Sequence, residues 1–417
     1  MAGEWRERPL SELTDNFDGI RVPVKEADRR PGPYPYYGAS GVVGNIDDYL
    51  FDGEYLLIAE DGENLRTRNT PVAFLARGKF WVNNHAHIVR GNNEADTRFL
   101  MYALSSADIG GYLTGSTMPK LTQGNLNRIP LLTPPLSEQR AIAHILGTLD
   151  DKIELNRKMN ETLEAMARAL FKSWFVDFDP VRAKMDGRWK KGKSLPGLPA
   201  ELYELFPARL VDSELGEIPE GWAVKGLDQI ARFLNGLALQ KYPAGNGRSL
   251  PVVKIAELRA GNTMGAERAS ADLESDYVIE DGDILFSWSG SLECVLWAGG
   301  QGALNQHLFK VTSDEYPKWL CYLGIHHHLA EFRSIAAGKA TTMGHIQRHH
   351  LTAAKLAIPQ SELLGSMDAI IGPLIESTWR RNMQSRVLAT LRETLLPKLM
   401  SGELRVKDDG KYVAATG

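Results

Sequence analysis

Three stretches of this sequence contain lysine and arginine but no aspartate or glutamate, and so carry a local net positive charge. Two of them, 64–93 and 109–137, lie in the first half of the chain, and 332–361 lies in the second half. Their cations are Arg66, Arg68, Arg77, Lys79, Arg90, Lys120, Arg128, Arg333, Lys339, Arg348 and Lys355. Because lysine and arginine neutralise phosphates, these stretches predict local nucleic-acid-binding faces on a chain whose net charge is only −4.

The same stretches are rich in side chains that can hydrogen-bond to base edges. The candidates for DNA contact are Arg66, Arg68, Arg77, Lys79, Thr117, Lys120, Gln123, Lys339, Thr342, His345, Gln347 and Arg348. The alternative is that these are solvated loops that lack acids by chance. Recurrence of the pattern in both halves of the chain favours the DNA-binding interpretation.

An Asn-x-His pattern follows a hydrophobic stretch in each half of the chain. It pairs Asn83 with His85 and Asn305 with His307. These four residues are weaker candidates for DNA contact, because Asn and His at a strand end commonly have a structural role alone.

Matching segments indicate an internal repeat. Trp5 and Trp222 begin similar segments, and the Thr-Met pair at 117–118 recurs at 342–343. The offset between matching positions drifts from 217 to 225 residues. One repeat unit is therefore about half of the chain, as is typical of a duplicated domain.

Each repeat unit is followed by a segment with apolar residues at helical spacing. The first helix is predicted from about Ser137 to Trp174, and the second from about Pro373 to Met400. The apolar residues assigned to the helix interfaces are Leu149, Ile153, Leu163, Met166, Leu170, Trp174, Leu388, Leu391 and Leu395. The simple alternative is a helix packed on its own domain. Two such helices favour pairing as a coiled-coil spacer, with Leu163, Met166 and Leu170 opposite Leu388, Leu391 and Leu395. Met159, Phe171, Trp174 and Phe175 would then remain for a partner.

Patterns typical of catalysis or cofactor binding are weak. Residues 187–194 formally match the phosphate loop G-x-x-x-x-G-K-[ST], but Pro196 and Pro199 follow and prevent the helix that such a loop needs. Most histidines lie between His307 and His350 without the spacing of zinc ligands. We therefore expect no catalytic residue, metal or cofactor in this chain.

Composition excludes several other classes of protein. No run of 18 uncharged apolar residues is present, so we expect no membrane span. The only cysteines, Cys294 and Cys321, cannot form a disulfide framework, which together with the absence of a signal sequence predicts a cytoplasmic protein.

Several segments resemble the specificity subunits of type I restriction–modification systems. They are PPLSEQRAIA at 134–143, DDKIELNR at 150–157, SELGEIPEGW at 213–222 and LLPKLMSGEL at 395–404. The segment PQSELL at 359–364 departs from the pattern because it lacks the usual Glu-Gln pair.

The resemblance implies an α+β protein with two mixed α/β target-recognition domains, a pseudo-two-fold internal repeat, and two long antiparallel helices as a coiled-coil spacer. The expected boundaries are 1–136 and 209–359 for the domains, 137–176 and 360–400 for the helices, 177–208 for a linker and 401–417 for a tail.

The resemblance also implies the partners. They are double-stranded DNA, two methyltransferase subunits docked on the helices, and restriction/translocase subunits. S-adenosylmethionine, ATP and magnesium would be bound by the partner subunits. The chain itself would be non-catalytic, reading a split asymmetric site with one half in each domain. The alternatives are a DNA-modifying enzyme with an unrecognised active site and a coiled-coil adaptor.

Overall fold

The computed structural model describes residues 4–338 and 344–406. The chain forms two compact units. The first contains the described parts of 1–152 and 388–417, and the second contains the described parts of 153–387. Within the described residues, no helix combines the length and the apolar character needed to cross a membrane.

A mixed sheet with apolar residues on both faces forms the core of the first unit. The strands of the first unit are β1 (Arg6–Pro9), β2 (Thr14–Asn16), β3 (Tyr34–Gly38), β4 (Gly41–Ile46), β5 (Phe51–Ala59), β6 (Ala73–Val82), β7 (Ala86–Gly91) and β8 (Pro130–Thr133). The sheet order is β2-β7-β5-β6-β3-β4, in which only β3 and β6 are parallel, and β1 pairs with β8. Successive side chains of β5 alternate between faces, so Leu56 and Ile58 pack in one buried cluster and Leu57 packs in another.

Short helices cover this sheet. They are α1 (Asn64–Thr67), α2 (Thr97–Ser106) and α3 (Gln123–Asn127). The side chain of Asp96 caps α2 by accepting the Phe99 N–H at 3.0 Å. The core of α2, including Phe99 and Leu100, packs in the same cluster as Leu56.

The long helices are α4 (Leu136–Phe175) and, further along the chain, α10 (Ser361–Met400), each of 40 residues. The predicted start of the second helix near Pro373 is wrong, because the preceding turns are also helical and bury Leu363, Met367 and Ile371 in the second unit. The first helix matches its predicted range within one residue at each end.

The second unit repeats the strand order of the first. Before its repeated part lie α5 (Asp179–Met185), β9 (Leu210–Ser213) and β10 (Gly216–Pro219). Its further strands are β11 (Ala223–Gly226), β12 (Arg232–Asn235), β13 (Ser249–Val253), β14 (Arg268–Ser270), β15 (Val278–Ile279), β16 (Ile284–Ser287), β17 (Cys294–Leu296), β18 (Gly302–Leu304), β19 (Leu308–Thr312) and β20 (Lys355–Ile358). One sheet has the order β12-β19-β16-β17, another has the order β14-β13-β18-β15 with β13 and β18 parallel, and β11 pairs with β20. These strands correspond in order to β2-β7-β5-β6, to the parallel pair β3-β6 and to β1-β8 of the first unit.

The remaining helices of the second unit are α6 (Leu227–Ile230), α7 (Ile255–Ala260), α8 (Lys318–Ala337) and α9 (Arg348–Ala353). Short 3-10 helices of the two units lie at Leu10–Glu12, Asp18–Ile20, Glu26–Asp28, Gly110–Tyr112, Ala200–Leu202, Leu239–Lys241 and Ser275–Tyr277.

Polar contacts fix an antiparallel register between α4 and α10. Within the second unit, the amide of Asn156 donates to Gln384 Oε1 at 2.9 Å, and that of Asn160 donates to Asn382 Oδ1 at 2.7 Å. Within the first unit, Arg392 donates to Asp150 at 2.7 Å. The register predicted from Leu163, Met166 and Leu170 opposite Leu388, Leu391 and Leu395 is therefore wrong, because the polar pairs shift α10 by about four turns relative to that prediction.

Burial also changes the assignment of helix residues to a partner surface. Phe171, Trp174 and Phe175 are buried in the core of the second unit, so the prediction that they remain for a partner is wrong. Met166 is 49% exposed and Leu391 is 44% exposed instead. The other helix residues assigned to the interfaces or to a partner are half-buried. They are Leu149, Ile153, Met159, Leu163, Leu170, Leu388 and Leu395.

The segment 177–208, predicted to be a linker, is packed into the second unit. It contains α5 and a fully buried Trp189, whose indole N–H donates to Lys193 O at 2.9 Å. The Trp189 ring meets those of Tyr203 and Phe206 at 5.2 and 5.9 Å between centroids. The abundance of proline and glycine does not distinguish these two cases, because both residues occur in flexible linkers and in compact irregular segments.

The described part of the tail is held by an ion pair. Arg405 donates to Glu138 at 2.7 and 2.9 Å, and the guanidinium lies 5.3 Å from the centre of the Trp5 ring. Residues 401–406 of the predicted tail are therefore held against the first unit, and the rest of the tail lies outside the described residues.

Candidate nucleic-acid interface

Three chain segments meet beside the end of β5 and the start of β7 in the first unit. The Glu60 N–H donates to His85 O at 2.9 Å, and the Leu121 N–H donates to Glu60 O at 2.8 Å. The Gly62 N–H completes the arrangement by donating to Pro119 O at 3.1 Å. We call this arrangement the first junction, which consists of residues 60–62, 83–85 and 119–121.

The second unit contains the same backbone arrangement. The Trp288 N–H donates to His307 O at 3.3 Å, and the Ile346 N–H donates to Trp288 O at 3.0 Å. The Gly290 N–H donates to Gly344 O at 2.9 Å. We call it the second junction, which consists of residues 288–290, 305–307 and 344–346. Both Gly62 and Gly290 have positive φ (115° and 64°), a conformation that disfavours other residues at these turns.

The Asn-x-His pairs form the same turn in both junctions. Asn83 Oδ1 accepts the His85 N–H at 2.8 Å, and Asn305 Oδ1 accepts the His307 N–H at 3.2 Å. Asn83 and Asn305 are buried, at 8% and 4% exposure. DNA contact by Asn83 and Asn305 stays a prediction, and in the structure each amide shapes the turn that presents the following histidine.

Charged groups surround His85 in the first junction. Its Nδ1 donates to Asp61 Oδ2 at 2.8 Å, while the side chain remains 54% exposed. Lys120 lies 3.2 Å from Glu60, which also accepts a bond from Arg21 at 2.8 Å. Burial raises the pKa of Glu60, but the hydrogen bonds from Arg21 and Lys120 outweigh it, so the pKa lies below its usual value.

A buried histidine of β7 connects the first junction to the sheet. His87 Nδ1 lies 2.6 Å from Asp18, and its Nε2 lies 2.7 Å from Leu121 O. The Asp18 carboxylate also accepts the Ile88 N–H at 2.9 Å. Segment 119–121 is thus tied to the sheet by a side chain as well as by backbone bonds.

Aromatic and uncharged groups replace these charges in the second junction. Ser289 Oγ lies 3.0 Å from His307 Nδ1, and Gln306 Nε2 lies 3.4 Å from His307 Nε2. The Trp288 ring takes the place of the Glu60 side chain, with its centre 5.7 Å from that of His307 and 6.3 Å from that of His345. The two junctions therefore share a backbone and differ in side-chain chemistry.

A short hairpin extends from the first junction. Thr114 and Lys120 exchange backbone bonds of 2.8 and 2.7 Å, and Arg66 donates to Gly115 O at 3.0 Å. Thr117 and Met118, between them, are exposed. The matching predicted residues of the second unit, Lys339 and Thr342, lie outside the described residues.

The other predicted cations are engaged by neighbouring groups. Arg68 donates to the backbone oxygens of Ser105 and Ala107 at 3.2 and 2.7 Å. Arg77 donates to Glu54 at 2.6 Å and lies 3.7 Å from Asp151. Lys79 lies 4.5 Å from the centre of the Tyr49 ring. DNA contact by these residues stays a prediction.

The remaining candidates lie at the starts of α3 and α9. Gln123 is the first residue of α3, and Gln347 precedes α9 and donates its backbone N–H to His350 Nδ1 at 2.9 Å. Arg348 donates to Phe233 O at 3.2 Å. DNA contact by Gln123, Gln347 and Arg348 also stays a prediction.

Sequence reasoning missed the residues that orient the two histidines. They are Asp61 and Ser289. Each lies two residues after the end of a buried strand and is followed directly by a glycine. That recurring pair, Asp-Gly and Ser-Gly, was the signal that could have identified them. Among the described residues, no group of three or more His, Cys, Asp or Glu could hold a metal ion.

Comparison with known proteins finds a family model and several relatives that are similar to this chain. Residues 2–165 match the family model described as the type I restriction modification DNA specificity domain. The MjaIX specificity subunit of Methanocaldococcus jannaschii is 27% identical over 97% of this chain and 94% of its own. The HindI specificity subunit of Haemophilus influenzae is 25% identical over 85% of this chain and 84% of its own.

Two further relatives differ in the extent of their similarity. The Haemophilus influenzae protein S.HindORF215P, named as a type I specificity subunit, is 40% identical but over only 35% of this chain and 37% of its own. The crystal structure of the type I S subunit from M. genitalium shares the fold, with a TM-score of 0.57 at 15% identity over 95% of this chain and 96% of its own. The family resemblance seen in the sequence is confirmed by these similarities to the specificity subunits of type I restriction–modification systems.

Proposed function

We propose that this chain is the sequence-specific DNA-binding subunit of a type I restriction–modification complex. The observation that carries the proposal is the presence of one junction in each unit, with matching backbone bonds and different side chains. One framework with two side-chain sets suits the reading of two different half-sites. The proposed target is therefore a split, asymmetric site in double-stranded DNA.

The chain itself is proposed to be non-catalytic. Methyl transfer would belong to two methyltransferase subunits that bind S-adenosylmethionine, and ATP- and magnesium-dependent cleavage would belong to restriction/translocase subunits. The long helices α4 and α10 would act as a coiled-coil spacer and as the docking surface for the methyltransferase subunits. Exposed apolar side chains on these helices, including Leu155, Met166, Val387 and Leu391, support a docking role.

Sequencing the methylated bases of a host that carries the complete system tests this function. We expect methylation at a bipartite, asymmetric motif with unread base pairs between its halves. An uninterrupted palindromic motif would contradict the proposal.

A second measurement separates this function from a DNA-modifying enzyme and from an adaptor. The purified chain is incubated with S-adenosylmethionine and DNA, alone and together with its methyltransferase partner. Methyl transfer by the chain alone would favour an enzyme, whereas unaltered sequence selection by the partner in the presence of the chain would favour an adaptor.

A further inference from the structure

We propose that the imidazoles of His85 and His307 each read a base edge in their own half-site, and that Asp61 and Ser289 are the positioning residues that orient them. This inference rests on the proposed function and assigns the residues that make the two half-sites different. It follows from the matched positions of the two histidines, the fixed orientation of both rings and the different groups around them.

The ring of His85 is held on one side and accessible on the other. The turn around Asn83 fixes its backbone, and the Asp61 carboxylate fixes Nδ1. A carboxylate only accepts hydrogen bonds, so Nδ1 carries a proton and Nε2 of the neutral ring is an acceptor. No protein partner of Nε2 occurs within 4–338 and 344–406. An acceptor suits the exocyclic amino groups that adenine and cytosine present in the major groove.

The ring of His307 has the same position but different neighbours. Ser289 takes the place of Asp61 at Nδ1, and the Gln306 amide lies 3.4 Å from Nε2. Trp288 packs against the ring where the first junction has the Glu60–Lys120 ion pair. The second junction therefore presents the Gln306 amide together with the His307 imidazole and has no carboxylate. We expect it to prefer a different base from the one that His85 reads.

A purely structural role for both histidines is the competing explanation. A buried histidine with both nitrogens bonded, such as His87, has that role in the first unit. His85 differs from His87 because more than half of its side chain is exposed. Base preference distinguishes the two roles, since a structural histidine affects all DNA sequences alike.

The experiment uses the full chain in complex with its methyltransferase partner. Binding is measured at pH 8 to a panel of duplexes in which each base pair of the site is substituted in turn. The variants are His85→Gln, Asp61→Ser, Asp61→Asn, His307→Gln and Ser289→Asp, with the exposed Lys190→Gln as control. Thermal unfolding of every complex is measured alongside.

We expect His85→Gln and Asp61→Ser to lower discrimination about 5- to 100-fold at one base pair of one half-site. His307→Gln and Ser289→Asp should do so at one base pair of the other half-site. Asp61→Asn retains an acceptor oxygen and should keep most of the discrimination, while Lys190→Gln should leave both half-sites unchanged.

Three outcomes are distinguishable from this result. Equal weakening on all duplexes would assign the histidines to phosphate contact or to a structural role, and either assignment would overturn the inference. Unchanged preference in His85→Gln and His307→Gln, with normal unfolding, would assign them a structural role and also overturn it. A wild-type complex without any base preference would instead contradict the proposed function itself.

Discussion

Asn156 donates its side-chain amide to the side-chain oxygen of Gln384 at 2.9 Å and so joins α4 to α10 within the second unit. One turn further on, Asn160 donates to Asn382 at 2.7 Å and to Thr378 O at 3.1 Å. The Oδ1 atoms of Asn156 and Asn160 are buried without a partner in the described part of the chain. Polar residues in such a helix seam define its register at a cost in stability.

Replacing both asparagines with leucine should therefore stabilise the second unit. We expect Asn156→Leu with Asn160→Leu to raise the free energy of unfolding by about 1–3 kcal/mol, because two unpaired buried acceptors are removed. Denaturant unfolding measures the change, with the exposed Lys158→Leu on the same helix as control. A loss of stability in the double variant would show that the cross-helix bonds outweigh the unpaired oxygens.

The packing of segment 177–208 leads to a second prediction. Trp189→Ala should lower the free energy of unfolding of the second unit by about 3–5 kcal/mol, because a fully buried indole leaves a cavity and Lys193 O loses its donor. Urea unfolding followed by circular dichroism measures the loss. Lys190→Gln, one residue further on and exposed, is the matched control, and equal unfolding curves for both variants would mean that the segment behaves as a free linker.

The sequence predicted the long helices, but it could not predict their contacts. Apolar spacing and the Ser137-Glu138-Gln139 start identified α4 within one residue at each end. The register could not be inferred because it depends on the pairing of Asn156 with a glutamine 228 positions later in the chain. The same limit applies to Trp174, which resembled a partner contact and is covered by its own unit.

The candidate interface could also be predicted from the sequence only in part. Composition and the Asn-x-His repeat predicted His85 and His307 as candidates, and the structure places them at matching positions. Asp61 precedes His85 by 24 residues, and only the pairing of β5 with β7 brings these two together. Burial of Asn83 could not be inferred either, because an exposed turn and a buried turn share the same local sequence.

The ion pair that holds the tail should make stability depend on pH. Burial raises the pKa of Glu138, but hydrogen bonds from Arg405 and Trp5 outweigh burial and hold the pKa below its usual value. A carboxylate with a lowered pKa in the folded state stabilises the protein above its unfolded-state pKa and loses this contribution as the pH falls through the folded-state pKa. Glu138→Gln should therefore lower the unfolding midpoint by about 2–8 °C at pH 7, and the difference from wild type should shrink in acid below about pH 4.

Thermal unfolding from pH 3 to pH 8 measures this dependence. Glu4→Gln, at an exposed carboxylate next to Trp5 in the sequence, serves as the control. A constant difference between Glu138→Gln and wild type at every pH would indicate lost packing rather than a lost charge pair.

Arg348 provides a test of phosphate contact. Its guanidinium donates to Phe233 O at 3.2 Å and lies 5.8 Å from the centre of the Phe309 ring, so the charge is fixed in place without an acidic partner in the described residues. Arg348→Ala should weaken binding by a similar factor on all DNA sequences and reduce the salt slope by about 1. Binding measured at several salt concentrations checks this, with Lys190→Gln as control, and an unchanged slope would remove Arg348 from the contacts.

The length of the long helices gives the last prediction. Because α4 begins in the first unit and ends in the second, its length is expected to set the number of base pairs left unread between the half-sites. Inserting four residues into both α4 and α10 adds about 6 Å to each helix. Since base pairs are about 3.4 Å apart, the unread gap should lengthen by one or two base pairs while both half-site sequences stay the same. Sequencing of methylated sites in a host with the altered chain measures the gap, and the same insertion in the exposed segment 241–248 is the control. An unchanged gap would mean that the helices serve only as docking surfaces.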